Sequence, residues 1–182
     1  MVRDGAPGLI KAIEEVWPRT DRQRCTVHRL RTIVAKLPDR PELHERVTRT
    51  YWQALDEAVD PADAEHRLRR LVASLEREYP SAAACLAEDL PALCGHLKYL
   101  PRLRKRFRSS NLLERSLEEV RRRTKVIGRF PGETSRLSLC WAVLDLFIGG
   151  ARGLGLTDLE YRQVVQRKVA RAEHDDDLVK IA

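Results

Sequence analysis

No run of eighteen apolar residues occurs anywhere in this 182-residue chain, so the sequence offers no candidate transmembrane helix. The N-terminus also lacks the basic, apolar and small-residue succession of a secretory signal. Neither membrane insertion nor export is indicated, and a cytoplasmic address is the expectation. Cysteine is scarce. Cys25, Cys85, Cys94 and Cys140 are irregularly spaced, which argues against a secreted disulfide framework and for reduced, mostly buried thiols. Repeats of fixed period and low-complexity tracts are missing too, which sets aside solenoid architectures. Cys25-x-x-His28 is half of a zinc site at best, and no second pair completes it: Cys85, Cys94 and His96 are a poor match in spacing.

What the chain does contain is 43% apolar residues, enough to bury a real core in one domain or a small pair. Its net charge of +7 is unevenly placed. Between Lys98 and Arg129, twelve Lys and Arg stand against three Glu, while the rest of the chain carries 22 basic and 24 acidic residues. All the basic excess therefore falls in one stretch. That is the electrostatic footprint of a phosphate-backbone partner, although a solvated basic helix face has the same composition.

The apolar spacing is mostly helical. Gly and Pro punctuate a turn over Asp4 to Gly8, and Leu9, Ile10, Ile13 and Val16 then line one face of a short helix that stops at Pro18. "RQRCTVH" is the best strand candidate, and Leu30, Ile33, Val34 and Leu37 predict a helix from His28 to Leu37. Consecutive helices follow. One carries Leu43, Val47, Tyr51, Ala54, Leu55 and Ala58 on a stripe; the next opens with Asp60 as N-cap and Pro61 at the first helical position. A third, "PSAAACLAEDLPALCGHL", is interrupted at Pro91 and ends near Gly95. Beyond the basic arm, a helix is predicted from Leu112 to Arg123, then an apolar helix "SRLSLCWAVLDLFIGG" that should be core. A last helix runs from about Thr157 to Ala172, and the acidic "EHDDD" follows.

Two carboxylates raise a chemical question, and each has two readings. Asp4 sits where a strand would end and a Gly-Pro loop begins, a common place for an active-site acid, yet Asp before Gly is an ordinary turn residue. Glu114 lies three residues after Asn111, which matches a capping box with Asn111 as N-cap. Cys25 and His28 can equally be a core thiol and a residue at the start of the following helix.

The order "DGAPGLIKAIEEVWP", "RQRCTVHRLR" and, after a helical interval, "RSSNLLERSLEEVRRRTKVIGRFP" resembles the Mutator-type DDE transposases of bacterial insertion sequences over nearly the whole chain. The resemblance implies a ribonuclease-H-like catalytic core with a helical domain inserted between the second catalytic Asp and the catalytic Glu. Asp4 would then be the second acid, Glu114 the third, and Cys25 and His28 the family's C-x-x-H pair. His28 would lie near the phosphate or orient a metal-bound water. The implied fold is mainly α, a remnant of a ribonuclease-H-like α/β core with one or two short strands. Residues 1–37 would be partial core, 38–97 an all-helical insertion domain, 98–172 the basic arm and C-terminal helices completing the core, and 173–182 an acidic tail.

The implied chemistry is metal-dependent phosphodiester cleavage and strand transfer, with Asp4 and Glu114 as ligands of Mg²⁺ or Mn²⁺. DNA is the implied partner, held by Arg104, Lys105, Arg106, Arg108, Asn111, Arg115, Arg121, Arg122, Arg123 and Lys125. The family segment T-N-P-I-E-R-x-N reads "SNLLERSL" here, with Ser110, Leu112 and Leu117 replacing Thr, Pro and the second Asn. In the family the first catalytic Asp lies on a strand well upstream of the "MVRDG" segment. These 182 residues are therefore expected to lack that acid, the first three strands and the N-terminal DNA-binding region, and to be inactive alone. A non-catalytic DNA-binding remnant that associates with itself or with intact transposase is the alternative expectation.

Overall fold

The computed structural model describes residues 2–3, 6–18, 20–150 and 157–166. Within them the chain is mainly helical, as expected. Strand β1 (Val2–Arg3) leads to helix α1 (Pro7–Val16), and strand β2 (Gln23–Arg24) lies parallel to β1, with Val2 opposite Gln23 and Arg3 opposite Arg24. Parallel strands need a crossover, and α1 provides it. β2 is much shorter than the strand expected across "RQRCTVH", because Thr26 already opens helix α2 (Thr26–Val34). The Thr26 N–H donates to the Arg108 carbonyl at 2.8 Å, an interaction that takes it out of any sheet ladder.

Five helices begin at a proline: α1, α3 (Pro41–Asp56), α4 (Pro61–Glu76), α5 (Pro80–Ala87) and α7 (Pro101–Phe107). At the first helical position the missing N–H removes no intrahelical bond and the fixed φ is already helical. Asp60 caps α4 as expected, accepting the Asp63 N–H at 2.9 Å, while the Asp63 carboxylate accepts the Val59 N–H at 3.2 Å. The first bond satisfies an amide that the helix leaves open, and the second fixes the residue ahead of the cap.

Buried positions recur at helical spacing, Leu43, Val47, Tyr51, Ala54 and Leu55 on α3 and Ala64, Leu68, Leu71 and Leu75 on α4. They share one core with Leu30 and Ile33 of α2, Leu86 of α5 and Leu90 and Leu93 of helix α6 (Leu90–Cys94). The break expected at Pro91 falls just before it, between Ala87 and Leu90, since Pro91 has no N–H to donate to the Ala87 carbonyl and is tolerated in a first turn. Arg29, only 2% exposed, holds that break: Nη1 donates to the Cys85 carbonyl at 2.7 Å and to Glu88 at 2.8 Å, and Nη2 donates to Asp89 at 2.8 Å.

Gln23 of β2 ties the short sheet to the helices. Buried Gln23 donates from Nε2 to the Leu93 carbonyl at 2.9 Å and accepts the His96 N–H at 2.6 Å. His96 belongs to the 3-10 turn Gly95–Lys98, and a Cβ on Gly95 would stand 3.1 Å from Gln23 Oε1, so this close approach favours glycine.

The chain divides into two compact units, Met1–Leu112 and Leu113–Ala182. Helix α8 (Asn111–Thr124) starts in the first and runs through the second, which also contains helix α9 (Glu133–Gly149) and a helical stretch over residues 158–166. The remainder of the expected last helix and the acidic tail lie outside the described residues. The expectation that α9 is core is corrected. Val143 is buried, but Leu137, Trp141 and Leu146 are exposed. A helix that is apolar around its circumference needs neighbours on every side, and the described part of its own unit offers few. No helix among the described residues is long and apolar enough to cross a membrane.

One buried group makes the fold sensitive to acid. His96 is 2% exposed, its Nδ1–H donates to the Leu93 carbonyl at 3.0 Å, and burial pushes its pKa down to about 4. An unfolded histidine titrates near 6.5. The stabilisation is therefore whole above about pH 6.5 and is lost as pH falls toward about 4. Urea unfolding at pH 7 and pH 5 is expected to give a lower midpoint at pH 5. In His96→Asn, which keeps a donor for Leu93 and does not titrate, the difference should shrink. Equal midpoints for the unsubstituted chain would contradict this.

Candidate active site and nucleic-acid interface

Of the two expected acids, Asp4 lies outside the described residues, immediately after β1 in sequence. Glu114 lies in the first turn of α8 and is half-buried; a carboxylate there is favoured by the helix dipole. Asn111 is itself the first residue of α8, one step inside the cap position expected from sequence, so Ser110 leads into the helix. Serine is as suited to that place as asparagine. The oxygen donors of Asp4 and Glu114 would suit a hard divalent cation. Among the described residues no group of three His, Cys, Asp or Glu can hold a metal ion.

Cys25 and His28 come together with Ser110. The buried Cys25 precedes α2 as its N-cap residue, and His28 Nδ1 lies 3.2 Å from its sulfur. Ser110 donates to that sulfur from its backbone N–H and its hydroxyl, both at 3.4 Å, and its Oγ lies 3.4 Å from His28 Nδ1. Next to this group, the Arg108 carbonyl accepts from Thr26 N–H at 2.8 Å and from Thr26 Oγ1–H at 2.9 Å. The Thr26 carbonyl in turn accepts the Tyr51 hydroxyl at 3.0 Å. Residues 108–110, which lead into α8, are thus bound to the first turn of α2.

The basic residues divide by what they touch. The Arg108 guanidinium stacks over the Trp52 ring at 4.4 Å and pairs with Asp56, a well-built cation–π and ion pair inside the first unit. Arg104 donates to the Tyr99 carbonyl at 3.1 Å. On α8, Arg122 and Arg123 both bind Glu119, and those hydrogen bonds, Arg122's first, hold the Glu119 carboxyl down to about 2. Lys105 and Arg106 of α7 are exposed, as are Asn111, Arg115 and Arg121 of α8 and Lys125 just beyond it. Lys105, Arg115, Arg121 and Lys125 make no ion pair with any described residue. The sequence reading did not single out Thr26, Trp52 or Asp56 for this site. Trp52 and Asp56 precede Arg108 by more than fifty positions, and no local pattern joins them.

A sequence profile described as "Transposase, Mutator family" matches residues 1–146, and the chain belongs to that family. It is 30% identical over 146 residues to the transposase for insertion sequence element IS6120 of Mycolicibacterium smegmatis, covering 79% of this chain and 44% of the relative. It is 30% identical over 175 residues to the transposase for ISRM5 of Rhizobium meliloti (strain 1021), covering 93% and 43%. With the transposase for IS1081 of Mycobacterium tuberculosis the identity is 31% over 157 residues, covering 84% and 37%. The chain spans less than half the length of each of these relatives.

Arg108 and Arg121 separate structural from solvent-facing uses of the same residue type. Arg108→Gln is expected to destabilise the fold by about 2 kcal/mol through loss of the Trp52 stack and the Asp56 pair. Arg121→Gln should stay within about 0.5 kcal/mol of the unsubstituted chain. Urea unfolding of both variants measures the difference, and the reverse order would overturn the assignment.

Proposed function

We propose that these residues form the part of a Mutator-type transposase that carries the second and third catalytic acids and grips DNA beside them. The observation that carries the reading is the family match over residues 1–146, a span that includes Asp4, the Cys25–His28 pair and Glu114. In this reading β1, α1 and β2 belong to a ribonuclease-H-like core, the helices within 38–97 are its insertion, and residues 98–172 complete the core. Asp4 and Glu114 would hold Mg²⁺ or Mn²⁺, whose chemistry is to activate the attacking oxygen and stabilise the leaving one. Lys105, Arg115, Arg121 and Lys125 supply exposed positive charge to phosphates along α7 and α8. Arg106, Asn111, Arg122 and Arg123 add polar donors on the same helices.

A second reading, a DNA-binding regulator that joins an intact transposase, is favoured by the exposed Leu137, Trp141 and Leu146 of α9. The two readings differ at Glu114. A family catalytic set includes a first Asp, and the test supplies one to this chain from a relative. Joined to the N-terminal half of a relative, it should give strand transfer that Glu114→Gln abolishes while DNA binding persists. Strand transfer that survives Glu114→Gln in the joined protein would leave the regulator reading.

Binding itself is read from salt dependence. Duplex DNA affinity of the 182-residue chain, followed by fluorescence anisotropy across a salt series, should fall linearly in log–log form. Arg121→Gln is expected to lower the slope by about 1. Affinity that is insensitive to salt would count against both readings.

A further inference from the structure

We propose that Cys25 and His28 are positioning residues for helix α8, acting through Ser110. A buried cysteine ordinarily packs as a small apolar group. Here the sulfur of Cys25, fully buried, is the meeting point of three polar contacts: His28 Nδ1 at 3.2 Å, Ser110 N at 3.4 Å and Ser110 Oγ at 3.4 Å. All are satisfied together when the Cys25 S–H donates to Nδ1 and the sulfur accepts both Ser110 donors, an arrangement assigned from the hydrogen-bond network. Two of the three come from the residue immediately before α8. Two positions earlier, the Arg108 carbonyl takes both Thr26 donors. The segment 108–110 is therefore held at both ends against the first turn of α2, and the start of α8 has little freedom left.

The consequence follows from helix geometry. Glu114 is four residues past Ser110, about 6 Å along a helix that rises about 1.5 Å per residue. A shift where α8 begins passes to that carboxylate undiminished, and misplacing a reacting group by about 1 Å can cost on the order of a hundredfold in rate. This consequence rests on the reading of Glu114 as a metal-binding acid; the latch itself does not. In this assignment the C-x-x-H spacing has a geometric reason. A residue at the N-cap of α2 and one in its first turn, three apart, lie close enough to share a third group.

Amide hydrogen exchange on the 182-residue chain tests it without metal or DNA. The amides to follow are Ser110 and Arg115–Leu117, whose helical acceptors lie in the first turn of α8. Cys25→Val keeps an apolar, volume-filling side chain, whereas Cys25→Ser keeps an acceptor. The expected result is exchange about tenfold faster at these amides in Cys25→Val and in Ser110→Ala, near-unchanged rates in Cys25→Ser, and unchanged protection in α4. His28→Ala should move the same amides in the same direction. If Cys25→Val protects α8 and Cys25→Ser does not, the thiol is only a packing group and the proposal is wrong. Should Cys25→Val fail to fold, Ser110→Ala reads the same contacts from a half-buried side chain, and unchanged rates there overturn the proposal alone. Mn²⁺ binding by the unsubstituted chain and by Glu114→Gln is measured separately, so failure of the Glu114 reading is told apart from failure of the latch.

Discussion

The Arg108 carbonyl accepts from both donors of Thr26, 82 positions away in sequence, and the path of the chain between them is organised by that meeting. Closing a flexible loop of that length in one step costs roughly 4 kcal/mol beyond the constant term. The chain avoids the single step. α3 and α4 share buried faces with α2 and α5, so each short connection closes locally and the last return, from the 3-10 turn through α7, spans little. Tyr51 and Trp52, with Asp56 one turn further along α3, then reach the junction: the Tyr51 hydroxyl bonds the Thr26 carbonyl, and Trp52 and Asp56 hold the Arg108 side chain. The helical excursion thus builds the clamp that closes it.

The two-stranded sheet depends on the same excursion. Strands of two residues each have no independent stability, and β2 persists because Gln23 bonds the Leu93 carbonyl and the His96 amide while Arg29 is anchored to the ends of α5 and α6. These are buried polar ties, which hold only while every partner is in place. Arg29 Nε is buried without a hydrogen-bond partner among the described residues, a penalty that its four bonds to Cys85, Glu88 and Asp89 offset. Helical core and strand pair are therefore expected to unfold as one body.

This dependence explains what the sequence made legible. The starts of α3 and α4 could be placed to the residue because their evidence is local: apolar spacing, prolines at the first helical position, and the Asp60 cap. The end of β2 could not, since Thr26 leaves the strand for an acceptor far along the chain. α9 misled in another way. Its apolar residues are real, but whether they are covered depends on neighbours that composition does not name. At the site, local sequence placed Glu114 at a helix start and could go no further, because a capping acid and a metal-binding acid occupy the same position. The Cys25-x-x-His28 spacing was visible, while its third member, Ser110, was noticed only as a substitution in a family segment.

The charge count shows most plainly how the fold edits a sequence signal. Twelve cations between Lys98 and Arg129 do not make twelve phosphate contacts. Arg108 is stacked and paired inside the first unit, and moving it to a phosphate would mean breaking contacts that are partly shielded from water. Arg122 and Arg123 face a different balance: both share Glu119 on an exposed helix surface, where an ion pair contributes about 1 kcal/mol or less. A phosphate can replace that carboxylate at small cost. The exposed Lys105, Arg115, Arg121 and Lys125, which make no ion pair with any described residue, need give up nothing but counterions. A polyanion approaching α8 would therefore recruit Arg115, Arg121 and Lys125 before Arg122 and Arg123, an order set by partners and not by position in the basic stretch.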